Sequence, residues 1–133
     1  MLATVRAGTV FCDDGGVRPT VLLVDDHDGF RESARALLEA EGFAVVGDAA
    51  DGAGAIAAVA RLRPDVVLLD VQLPDVDGFT VAGRLAAGPD PPRVVLISSR
   101  DATAYGARVG AAPVCGFLAK RELSGAALAA LVG

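Results

Sequence analysis

Val21-Leu22-Leu23-Val24-Asp25-Asp26-His27 is a run of four apolar residues that stops at two acids. A strand wetted on one side alternates apolar and polar residues. An unbroken apolar run of this length, closed by turn-forming polar residues, is expected of a strand covered on both faces. The pattern returns along the chain. Val66–Leu69 ends in Asp70, Val94–Ile97 ends in Ser98-Ser99, Gly116–Ala119 ends in Lys120, and Ala44–Gly47 is a further short strand.

Helical signals fill the intervals. Asp28 is placed to cap a helix with Phe30, Ala34, Leu37 and Leu38 on one face, and Gly42 ends it. Asp51 opens a second helix with Ile56, Val59 and Ala60 as its inward face, stopped before Pro64. A turn with Pro74 and Gly78 leads into a third helix with Phe79, Ala82 and Leu85 inward. A weak helix is expected over about residues 102–111, and Ser124 caps a last one carrying Leu128 and Leu131. Alternation of this kind gives an α/β fold, a doubly wound five-stranded parallel sheet with five helices on its two faces. In such sheets ligands bind beyond the carboxyl ends of the strands.

The strand ends therefore matter most. Asp25, Asp26, Asp70, Ser98 and Lys120 should all gather at one edge of the sheet. Two carboxylates about 5 Å apart repel by roughly 3 kcal/mol at an effective dielectric of 20. Three of them call for a proton or a cation. A hard divalent ion with oxygen ligands meets that need, and Mg²⁺ typically takes one or two carboxylates plus phosphate oxygens. Asp70 can then act as a carboxylate nucleophile toward phosphorus, with Lys120 as a point charge and Ser98 as a donor.

Bulk properties narrow the classes. The chain has 133 residues, 53% hydrophobic and 22% charged, with a net charge of −5. That excludes a disordered acidic segment and offers no basic cluster for direct nucleic-acid binding. No apolar run approaches the ~20 residues of a membrane span, and no secretory signal opens the chain, so a cytoplasmic location is expected. Cys12 and Cys115 have no metal spacing; Cys115 reads as a small buried hydrophobe and Cys12 as a tail thiol. Residues 1–19, rich in glycine, read as a flexible N-terminal tail, with a short extra strand at Thr9–Cys12 as the alternative.

Taken together, Val-Leu-Leu-Val-Asp-Asp-His (21–27), Leu-Leu-Asp-Val-Gln-Leu-Pro-Asp-Val-Asp-Gly (68–78), Val-Val-Leu-Ile-Ser-Ser (94–99) and Gly-Phe-Leu-Ala-Lys (116–120) resemble the response regulator receiver domain. The match runs from Thr20 to Leu131, inside a domain of residues 20–133, and the intervals between the motifs agree as well. The resemblance implies a flavodoxin-like fold with strand order 2-1-3-4-5. It implies Mg²⁺, or Mn²⁺ in its place, held by Asp25, Asp26, Asp70 and the main-chain carbonyl of Gln72. Asp70 would be the phospho-acceptor of a two-component phosphorelay, with Lys120 and Ser98 assisting. Ser98 takes the place of the switch hydroxyl and Phe117 that of the switch aromatic. The side chains of Gln72 and Arg100 stand where rate-tuning residues stand, able to shield an acyl phosphate from water. The partners implied are a sensor histidine kinase, or a small phosphodonor, and an output protein, with the chain a monomer or a phosphorylation-dependent homodimer.

Other readings remain in view. Asp13-Asp14 mimics the acid pair but is followed by glycines and lies too far from Asp70. His27, without a second His or Cys nearby, reads as an exposed loop side chain rather than a ligand. An Mg²⁺-dependent aspartyl-nucleophile phosphohydrolase usually has Asp-x-Asp at its nucleophile, where this chain has Gln72. A phosphorylation-independent interaction module on the same fold is the third class. The sequence departs from the family pattern at Pro113, which should end the fourth helix early, and at Arg121, where a proline is common. Nothing resembling an output domain follows the last helix, so a single-domain regulator or a receiver from a longer protein is expected.

Overall fold

The computed structural model describes residues 11–13 and 16–133. Phe11–Asp13 (β1) and Gly16–Arg18 (β2) pair antiparallel as a small hairpin where the sequence suggested a tail. Met1–Val10, Asp14 and Gly15 lie outside the described residues, and with them most of the expected tail and half of the Asp13-Asp14 pair.

Thr20–Val24 (β3), Ala44–Ala49 (β4), Val66–Asp70 (β5), Arg93–Ser98 (β6) and Gly116–Ala119 (β7) form the main sheet. Its order is β4-β3-β5-β6-β7, and every pairing is parallel. Counting these five strands alone, that is 2-1-3-4-5. Alternate residues of each strand point to opposite faces, so the apolar runs feed two cores. Leu22, Val24, Val67, Leu69, Val94 and Leu96 pack on one side with Gly52–Leu62 (α2) and Gly78–Ala87 (α3). Val21, Leu23, Val66, Leu68, Val95 and Ile97 pack on the other with Asp28–Ala40 (α1) and Gly125–Val132 (α5). The starts of β3 and β5 are tied by the Asp65 carboxylate, which accepts from the Thr20 backbone N–H at 2.9 Å and its hydroxyl at 3.0 Å.

Three sequence expectations need correction. His27, not Asp28, holds the N-cap of α1; the His27 carbonyl already accepts the first helical bond, from Arg31 at 3.1 Å. In α2 the fully buried face is Gly52, Ala55 and Ala58, with Ile56 and Val59 at its flank and Ala60 exposed. Small residues let that helix lie close to the sheet, so its largest side chains are not its innermost. Cys115 is exposed rather than buried; it immediately precedes the edge strand β7.

The weak fourth helix divides. Ala102–Tyr105 is a 3-10 turn, Gly106 takes φ +59°, and only Ala107–Ala111 (α4) is α-helical. The ψ of 148° at Ala112 is the extended backbone that a following proline imposes. Among the described residues there is no cis peptide, so the Lys120–Arg121 bond is trans. No helix among them is long and apolar enough to cross a membrane.

Candidate functional site: an acid cluster at the strand ends

Register brings the acids together. Val24 pairs with Leu69, so Asp25 and Asp70 leave neighbouring strands at the same level. Both are buried, at 0% and 3% exposure. Asp26 and His27, on the turn into α1, are exposed. Ligand atoms of Asp25, Asp26, His27 and Asp70 lie within 4.8 Å of one another.

Lys120, at the end of β7, reaches across this cluster. Its Nζ is 2.5 Å from Asp25 Oδ2 and 3.3 Å from Asp70 Oδ2, and stands 4.7 Å from the centre of the Phe30 ring. Burial works to lower the Lys120 pKa, but the contacts with Asp25 and Asp70 outweigh it and raise the pKa above the ordinary lysine value. Asp70 is pushed above the usual carboxylate range, chiefly by burial. The Asp25 charge adds to the rise, while the Gln72 backbone N–H (3.1 Å from Oδ1) and Lys120 oppose it. Ionised Asp70 is thus under-stabilised, a state suited to bonding with an electrophile or a cation.

Local backbone fixes these positions. Asp25 Oδ1 accepts from the His27 N–H at 2.8 Å, and the Arg31 guanidinium donates to the Asp25 carbonyl. After Asp70 the chain turns back through Gly78, whose N–H donates to Val71 O at 2.7 Å. A Cβ on Gly78 would lie 2.4 Å from the Asp70 carbonyl oxygen, so no larger residue fits beside β5 there. Asp77 caps α3 through Thr80 N at 2.8 Å.

The remaining candidates fall in two groups. Ser98 is fully buried at the end of β6; its Oγ accepts from Arg100 N at 3.0 Å and lies 2.6 Å from the Tyr105 hydroxyl. Phe117 is half-buried and meets Tyr105 at 5.9 Å between ring centres. The Gln72 and Arg100 side chains are exposed, and it is their backbone N–H groups that touch Asp70 and Ser98. His27 is exposed as expected, yet its Nδ1 lies 3.0 Å from Asp25 Oδ1 and 3.1 Å from Asp26 Oδ1. Tyr105 and Arg31 were not singled out by sequence reading. Tyr105 sits in a segment with no apolar period, and its place as the single tyrosine of the chain was the only signal available.

The donor set fits a hard divalent cation. Its carboxylates offer oxygen ligands, and one ammonium cannot balance Asp25, Asp26 and Asp70 together. Asp25 Oδ2 is buried without a well-directed hydrogen bond, its close contact with Lys120 being an ion pair.

Comparison with known proteins agrees with this arrangement. The family model for the response regulator receiver domain matches residues 21–132. The chain belongs to that family. A candidate transcriptional regulator of Pseudomonas aeruginosa is 37% identical over 102 residues, covering 77% of this chain and 49% of that protein. The chain therefore spans about half the length of this curated relative. Among solved structures, the signal receiver domain of NarL from Mycobacterium tuberculosis superposes with a TM-score of 0.76 at 36% identity, covering 87% of this chain and 98% of that one. A CheX–CheY–BeF₃–Mg complex from Borrelia burgdorferi matches with a TM-score of 0.74 at 26% identity, covering 85% of each chain. As a receiver domain of two-component signalling, the protein is a signalling switch built around an acidic pocket of Asp25, Asp26 and Asp70.

Proposed function

We propose that Asp70 accepts a phosphoryl group and that its capture switches a protein-interaction face. The observation carrying this reading is the buried Asp25–Lys120–Asp70 contact, which sets one carboxylate beside both a cation and an acid pair. An Asp70 carboxylate oxygen forms a bond to phosphorus as the donor's P–N bond (a phosphohistidine of a sensor kinase) or P–O bond (acetyl phosphate) breaks. The bonding pair leaves with the donor. Lys120 stays protonated and neutralises charge on the incoming phosphoryl oxygens. Asp25, Asp26, Asp70 and the Gln72 carbonyl would hold Mg²⁺, or Mn²⁺; when bound, the ion draws negative charge from the phosphoryl oxygens. Ser98 donates to the phosphoryl group once it is in place, and the exposed Gln72 and Arg100 side chains set its lifetime by screening it from water. Phe117 belongs to the face that responds.

The chain in this reading catalyses only its own phosphorylation and dephosphorylation, works in the cytoplasm, and signals through an output protein or domain. It acts as a monomer or a phosphorylation-dependent homodimer and makes no nucleic-acid contact of its own. Residues 20–133 form the receiver unit. Incubation with acetyl phosphate and Mg²⁺, followed by intact-mass measurement, tests the reading. One phosphoryl increment is expected on the wild type and none on Asp70→Asn or in EDTA. A wild type that stays unmodified, or that releases phosphate from many esters catalytically, would overturn it.

A further inference from the structure

Ser98 has one proton to donate and two lone pairs to accept with. One lone pair takes the Arg100 N–H at 3.0 Å, and the short 2.6 Å contact with the Tyr105 hydroxyl engages the group again. The residue is 0% exposed, so no water competes for it. Ser98 has the parity of Leu96 along β6, and Leu96 belongs to the core on the α2 and α3 side. Asp70 has the parity of Leu68, which faces the opposite core. Ser98 is therefore held toward Tyr105, on the other side of the sheet from the face Asp70 shares.

Tyr105 is poorly held by the backbone around it. It ends a 3-10 turn that has no buried residue, and Gly106 follows at φ +59°. Its ring rests edge-on against Phe79 at 5.7 Å and tilted against Phe117 at 5.9 Å. Beyond it, Arg108 ties the segment to α3 by an exposed contact of 3.3 Å with Asp77 and by lying 4.2 Å over the Phe79 ring. The part-buried bond to Ser98 thus links a segment without buried residues to the end of β6.

We propose that Tyr105 is a positioning residue: its hydroxyl latches Ser98 away from Asp70, and release of that bond hands the signal to residues 102–111. The inference rests on Asp70 being the phosphoryl acceptor. A phosphoryl oxygen on Asp70 takes the Ser98 hydrogen bond in exchange for the one to Tyr105. The freed phenol turns to solvent, and its ring leaves or re-seats between Phe79 and Phe117. Phe117, lacking a hydroxyl, cannot hold Ser98 in this way; it supplies one wall of the slot in which Tyr105 sits.

The chain has one tyrosine and no tryptophan, so its intrinsic emission reports on Tyr105 alone. The test uses beryllofluoride with Mg²⁺ as a phosphoryl mimic on the whole chain, in wild type, Tyr105→Phe, Ser98→Ala and the double variant, with Asp70→Asn as reference. Tyr105→Phe keeps the ring and removes the latch, so the mimic should bind about fivefold tighter, the scale of one neutral hydrogen bond. In the Ser98→Ala background the same substitution should change nothing. Tyrosine emission should shift on adding the mimic to wild type and stay constant in Asp70→Asn. Equal affinity in wild type and Tyr105→Phe would overturn the latch. So would a gain that persists without Ser98, since ring packing would then be its source. Failure of wild type to bind the mimic would overturn the Asp70 reading itself, and the latch with it.

Discussion

Lys120 is what allows Asp25 and Asp70 to be buried side by side. With its Nζ 2.5 Å and 3.3 Å from their oxygens, it is the cation the two share. Removing one partner of such a buried group leaves uncompensated charge, a loss of about 3 kcal/mol. Lys120→Ala is therefore expected to lower the urea unfolding free energy by that order in EDTA and by clearly less in Mg²⁺. An equal loss in both media would show that metal and lysine do not serve the same charges. Asp70→Asn should act in the opposite direction. Because burial already pushes the Asp70 pKa up, its charge costs stability at neutral pH, and the neutral amide should raise the Tm in EDTA. Sequence reading reached these residues because each ends an apolar strand. It did not reach Tyr105, whose contact with Ser98 depends on how a non-periodic segment folds back over the sheet.

Among the elements, α3 and its approach carry a steric demand. A Cβ at Gly78 would meet the Asp70 carbonyl at 2.4 Å and the Val71 Cα at 2.9 Å. Both are backbone atoms and cannot swing aside, so Gly78→Ala should destabilise by about 2 kcal/mol, the scale of core overpacking, and weaken Mg²⁺ binding. Thermal unfolding with and without Mg²⁺ reads both effects. The start of α2 is held differently. Asp75 accepts from Gly52 N at 2.8 Å and Ala53 N at 3.0 Å, and these bonds hold its carboxyl below the ordinary value. As pH falls, the unfolded chain protonates this group first, near the ordinary pKa of about 4. The stabilisation is thus complete above that pH and disappears as the pH drops through the lower folded value. Asp75→Asn should flatten the dependence of the urea midpoint on pH below about pH 4. An unchanged profile would remove Asp75 from the account. The five sheet strands were legible because burial on both faces leaves no polar alternation to misread. The fourth helix was legible only as weak, since Gly106 and Gly110 and the lack of large apolar side chains give no period. The inner face of α2 was misjudged for a related reason: alanine and glycine bury fully while adding little to an apolar pattern.

At the scale of the molecule, apolar cores pack on both faces of the main sheet, and the acid cluster gathers at the edge where the strands end. That division explains why the fold and the acid cluster could be read from strand runs and their closing residues. The proposed response could not, because segment 102–111 carries no apolar period and Arg121, paired with Asp101, is exposed. A ligand that binds only the folded chain stabilises it by mass action. Mg²⁺ at ten times its Kd should therefore add about 1.4 kcal/mol to the unfolding free energy. That gain should vanish in an Asp25→Asn, Asp26→Asn double variant, as calorimetry with and without EDTA would reveal. The most direct measurement for the whole account is the position of the acyl phosphate. After treatment with acetyl phosphate and Mg²⁺, reduction with tritiated borohydride and peptide mapping should place the label on Asp70 alone. Label on Asp25 or Asp26, or none on the chain, would contradict it.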